Sequence, residues 1–98
     1  PYATLYAHQV DLGTADEAAF LAAAGAGLQK LGIEGGLICG KQRKIMTSSG
    51  MIYGYSLMVH DVAPAASLRL QEHGLGGHRL LGCGVFIPHK SIKEVTFD

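Results

Sequence analysis

Extended and helical segments follow one another along this chain in the order strand, helix, strand, strand, helix, strand, and that order leaves few folds open to it. Residues 2–10 mix aromatic and branched side chains and read as the first strand. Alternation places Leu5 and Ala7 on one face of it, and Thr4, Tyr6 and His8 on the other. Asp11-Leu12-Gly13 reads as a turn, and Thr14-Ala15-Asp16-Glu17 has the spacing of a capping box with Thr14 as N-cap. A helix is expected from there to about Leu31, burying Phe20, Ala24, Leu28 and Leu31 and stopping at Gly32. Leu37 to about Gln42 is a second strand, and Met51 to Val59 a third. The residues 43–50 between them are a loop or a hairpin with extended arms. A second helix starts at Asp61 or Ala63, tolerates Pro64 in its first turn, and ends at His73-Gly74. Its apolar side is formed by Ala65, Ala66, Leu68 and Leu70. His78 to Ile87 is expected to be the fourth strand, stopped by Pro88. Beyond it lies a tail in which Val95-Thr96-Phe97 favours extension.

The resulting expectation is an α+β, ferredoxin-like split βαβ fold: a four-stranded antiparallel sheet with two helices on one face. The chain reads as one domain over residues 1–98, with a core of about 3–87 and a tail of 88–98. Ninety-eight residues suffice for a single buried core, and 48% hydrophobic against 16% charged residues is a globular composition. Eight basic side chains balance eight acidic ones, which excludes a purely electrostatic nucleic-acid binder but not one that stacks single strands. No apolar run reaches the ~20 residues that cross a bilayer. The first residues lack a targeting pattern, so a nuclear or cytoplasmic setting is expected. Cys39 and Cys83 lie in apolar stretches and read as buried thiols; with no Cys-x-x-Cys pair, neither metal nor cofactor is expected. Pro1 is either a catalytic base with a free secondary amine or an end left by methionine removal.

With helices on one face, function belongs on the other. The first and third strands are central neighbours in this topology. If Leu5, Ala7, Ser56 and Met58 face the helices, then Tyr6, His8, Tyr53 and Tyr55 share the open face. Stacking a base on such a ring is worth about 1–3 kcal/mol. The other reading is that these rings are covered by a second copy or by the tail.

The residues that carry this pattern resemble the RNA recognition motif, over about Ala3 to Ile87. Leu5-Tyr6-Ala7-His8-Gln9-Val10 resembles that family's hexapeptide, with Gln9 in place of the usual Asn. Met51-Ile52-Tyr53-Gly54-Tyr55-Ser56-Leu57-Met58 resembles its octapeptide, with the aromatic-Gly-aromatic centre kept and Met51 where Lys or Arg is common. The resemblance implies that Tyr6, Tyr53 and Tyr55 stack on bases and sugars of single-stranded RNA. His8 and Gln9 stand beside them as candidates. Lys41, Arg43 and Lys44, with Lys90 and Lys93 in the tail, would supply a positive rim for phosphates. The expected protein is therefore a monomeric or weakly dimeric RNA binder and no enzyme. The alternatives are a protein-binding module of the same fold, and a dimeric small-molecule-binding or tautomerase-like enzyme using Pro1.

Overall fold

The structure, a computed structural model, describes residues 3–77 and 82–89. The elements are β1 (Ala3–Val10), α1 (Glu17–Lys30), β2 (Gly36–Thr47), β3 (Gly50–Val62), α2 (Pro64–His73) and β4 (Ile87–Pro88). The strands lie in the order β2-β3-β1-β4, and every pair is antiparallel. The fold is thus the ferredoxin-like α+β arrangement, with β1 and β3 central. Phe20, Ala24 and Leu28 of α1 and Ala66 and Leu70 of α2 pack on one sheet face, against Leu5, Ala7, Val10, Tyr55, Leu57, Val59 and Val62. Burying each large side chain in that layer is worth about 1.5–3 kcal/mol.

Local chemistry sets the ends of the elements, and in places it overrides the sequence expectation. Helix α1 is capped by Asp16 rather than Thr14: the Asp16 carboxylate accepts from the Ala19 N–H at 2.8 Å. Thr14 instead accepts from the Asp16 N–H at 3.1 Å, two residues before the cap. The carboxylate prevails because a charged acceptor also complements the positive end of the helix dipole. Gly32, at φ +71°, closes α1 as expected. In α2, Pro64 occupies the first turn, but Leu68 is exposed and Ser67 is buried. At about 100° per residue, position 68 lies roughly opposite the side shared by Ala66 and Leu70.

The segment expected as a loop is strand. β2 runs on to Thr47, and a tight turn leads into β3, with the Thr47 hydroxyl donating to the Gly50 carbonyl at 2.8 Å. Polar Arg43 and Lys44 obscure this because an edge strand with solvent on both sides needs no apolar alternation. The last strand is shorter than expected. Residues 82–84 form a turn in which Gly82 and Gly84 have φ +89° and +72°, so no strand runs through them. Pro88 does not stop β4 but belongs to it, paired with Leu5 at a sheet edge where proline is tolerated. Pro1, His78, Lys90, Lys93 and the 95–97 segment lie outside the described residues.

Candidate nucleic-acid interface

The register of β3 against β1 decides which side chains face outward. Tyr6 pairs with Met58 and Ala7 with Leu57. Leu57 and Val59 are fully buried in the core, so Ser56 and Met58 belong to the open face together with Tyr6. This is the opposite phase to the one the sequence expectation required. Burying Tyr55, Leu57 and Val59 removes far more apolar surface than burying Gly54, Ser56 and Met58. The three tyrosines are therefore not side by side. Tyr55 is 7% exposed, with its ring 4.8 Å from that of Phe20 and its hydroxyl donating to the Ala15 carbonyl. Tyr53 lies on the same side of β3 but past the cover of α1, and is 42% exposed. Tyr6 alone of the three is on the open face, half-buried, its ring 5.8 Å from that of His89.

A bulge in β1 shapes the rest of that face. Ala7 pairs with Leu57 and Val10 with Tyr55, so His8 and Gln9 together oppose Ser56. His8 is exposed. Gln9 is turned toward Gly54, is 4% exposed, and its amide nitrogen has no hydrogen-bond partner among the described residues. Ile38 and Ile87 complete the face as exposed apolar side chains, paired with Met58 and Tyr6 respectively. His60, which the sequence did not single out, is hydrogen-bonded through Nδ1 to Asp61 at 2.8 Å, and Asp61 adopts φ +60°. Its ring lies over Gly36, where any Cβ would collide with it. That contact has no local sequence signal, because Gly36 and His60 meet only through strand pairing.

The basic residues are also divided. A second bulge, in β2, places Gly40 and Lys41 opposite Ser56. Arg43 then pairs with Gly54 on the open face, where it is half-buried and its Nε has no partner among the described residues. Lys44 pairs with Tyr53 on the helix side and is exposed. Lys41 is exposed in the bulge itself. Between them Gln42 reaches the Ala15 carbonyl at 3.2 Å, so that Gln42 and Tyr55 both tie the β1–α1 loop to the hairpin. Among the described residues no group of three or more His, Cys, Asp or Glu side chains is placed to hold a metal ion. No helix among them is long and apolar enough to cross a membrane.

Burial is the main cause of each titration shift. It pushes the Tyr55 hydroxyl above its usual range, with smaller contributions from Glu17, Cys39 and Asp16. It does the same to the free thiols of Cys39, with help from Glu17, and of buried Cys83, with help from Asp11. A group whose folded pKa is raised holds its proton longer in the folded state. Its stabilising effect is complete below the unfolded pKa and is lost as pH climbs through the folded one. Melting temperature is therefore expected to fall as pH rises past about 9, first through the thiols and then, past about 10, through Tyr55. Tyr55→Phe should remove the later part of that fall, as read by circular dichroism melts across the alkaline range. An unchanged alkaline profile in this variant would contradict the assignment.

The fold and this face define a ferredoxin-like domain with helices on one sheet surface and Tyr6, His8, Ile38 and Ile87 on the other, edged by a basic hairpin. Comparison with known proteins specifies it further. A family model described as Cas6, Cas6 Crispr, matches residues 1–91. The chain is also 40% identical over 89 residues to the CRISPR-associated endonuclease Cas6 of Myxococcus xanthus (strain DK1622). The chain belongs to the Cas6 family. That alignment covers 90% of this chain and 39% of the relative, so the chain spans about two fifths of that protein's length. Two expectations change accordingly. The matched family is Cas6 and not the RNA recognition motif, and a nuclear setting finds no support. The expectation of no enzyme is overturned, since the relative is named an endonuclease. In general, acid and base groups drawn from separate elements of a fold leave no short motif in a sequence.

Proposed function

We propose that this chain forms the ferredoxin-like part of a CRISPR-associated endonuclease, in which it holds the CRISPR RNA that is cut. The observation that carries this reading is the 40% identity to a relative of that name. The accessible sheet face supports it. Tyr6 offers a half-buried ring to a flat base, with exposed His8 next to it in the β1 bulge and the His89 ring tilted 40° to it at 5.8 Å. Lys41 and Arg43 lie on the hairpin beside that face, with Lys44 on its other side, and they neutralise phosphates locally on a chain with no net charge. In this division of labour, phosphate contacts set the register of the strand, and the sheet face stacks its bases.

The test uses the full-length protein with labelled single-stranded RNA carrying a CRISPR repeat. Cleavage is followed on denaturing gels and affinity by fluorescence anisotropy at several salt concentrations. Specific cleavage of the repeat and salt-dependent binding are expected. Replacing Lys41, Arg43 and Lys44 by alanine together should flatten the plot of log affinity against log salt by about 2, at roughly 0.7 per phosphate contact on a single strand. If RNA has no affinity even at low salt, the reading falls and a protein-binding role of the same face takes its place.

A further inference from the structure

We propose that Gln9 and Arg43, which flank Gly54 on the open sheet face, form a pair of donors that holds one phosphodiester of the bound RNA. This rests on the RNA-binding reading above and deepens it. Among the described residues, two buried side-chain nitrogens have no hydrogen-bond partner: Gln9 Nε2 and Arg43 Nε. They come from β1 and β2, which are not neighbours, yet both border the same residue of β3. Arg43 pairs with Gly54 directly. The Gln9 side chain leans over Gly54 from the β1 bulge, its Cγ 3.0 Å from where a Cβ would stand. Strands on either side of a third lie about 10 Å apart, a gap that two long side chains close from both ends. With glycine between them, no side chain of β3 separates the two.

A folded chain rarely leaves such donors unmet, because a buried N–H without an acceptor has given up water for nothing. Two of them beside one glycine call for a shared acceptor. Arg43 decides its charge. A guanidinium only donates and is always positive, and among the described residues no carboxylate pairs with it. A base carbonyl would accept the hydrogen bonds and leave that charge unpaired. A phosphodiester meets both needs through its two non-bridging oxygens. Access is by way of Arg43. It is half-buried on the edge strand, while Gln9 is 4% exposed. Rotation of the long Arg43 side chain carries its charge outward to a phosphate and uncovers the amide beside it.

The experiment uses the full-length protein, labelled single-stranded RNA carrying a CRISPR repeat, and anisotropy over a series of salt concentrations. Gln9→Met keeps the length of the side chain and removes the amide. It should weaken RNA about tenfold at every salt concentration and leave the slope against log salt unchanged. The melting temperature of the free protein should hold or rise, since an unmet buried amide is gone. Arg43→Met should flatten the slope by about 0.7, the share of one phosphate on a single strand. The double variant should lose less than the sum of the two, because both side chains act on one group. RNA with a neutral methylphosphonate at one linkage at a time locates that group. At one linkage the unaltered protein should lose affinity while Arg43→Met loses nothing further.

Circular dichroism checks that the variants fold. Folded variants that bind as the unaltered chain does, or a double variant that loses the full sum, overturn the pair and leave the RNA-binding reading intact. A lower melting temperature for Gln9→Met with RNA affinity unmoved makes Gln9 a packing residue and has the same consequence. Should Gln9→Met not fold, the methylphosphonate series on Arg43→Met decides, and the absence of any linkage whose effect vanishes in that variant overturns the pair. Failure of the unaltered protein to bind RNA overturns both.

Discussion

Phe20→Ala is expected to lower stability by about 3–5 kcal/mol, the usual range for truncating a fully buried aromatic residue. Phe20 has no exposed surface and joins α1 to the sheet through the tilted ring contact with Tyr55. Against a total of about 5–15 kcal/mol for a domain of this kind, the loss leaves a sizeable unfolded fraction at ordinary temperature. It corresponds to a fall in melting temperature of about 12 °C or more for a chain of this length. Urea unfolding should show the midpoint falling with the slope unchanged. A loss below about 1 kcal/mol would mean that α1 does not seat on the sheet through this contact. The same packing governs how substitutions at Tyr55 are to be read. Their first effect is on the fold, so a Tyr55→Ala variant that binds RNA poorly says nothing about stacking.

Gly54→Ala is expected to cost about 1–3 kcal/mol or more, which is unusual for adding one methyl group. A Cβ at this position would collide with the Val10 carbonyl oxygen and come within 3.0 Å of Gln9 Cγ. The obstacle is mainly backbone. It can move only if the β1 bulge, which sets Val10 against Tyr55 and turns Gln9 toward Gly54, is rearranged. Calorimetric melts of the variant measure the cost, and a melting temperature equal to that of the unaltered chain would show that the bulge gives way freely. The aromatic-Gly-aromatic sequence at Tyr53-Gly54-Tyr55 thus has a packing reason in this chain. The glycine admits a bulged neighbour, while the flanking tyrosines go to the helix side.

Helix α1, helix α2 and the third strand were all legible, because each carries a period or a stop signal within its own residues. Phe20, Ala24 and Leu28 repeat on one side of a helix, Gly32 ends it, and Pro64 opens the next. The reach of β2 was not legible, since Lys41, Arg43 and Lys44 hide an edge strand whose faces are both wet. The candidate site was read in part. Tyr6 and His8 were placed on the accessible face by alternation, whereas Tyr53 and Tyr55 were placed there by a phase of β3 that burial reverses.

What the sequence by itself determined is the order of the elements, and with it the four-stranded antiparallel sheet carrying two helices. Those depend on periods of two and 3.6 residues and on local stops, which neighbouring side chains encode. The tertiary structure alone decided the phase of β3, the two bulges opposite Ser56, the parting of Arg43 from Lys44, and the meeting of Asp11 and Thr14 with Tyr53 around one cleft. Each of these follows from pairing between residues far apart in the chain. There, one residue of register turns a side chain from core to solvent, and the total apolar area buried settles the choice.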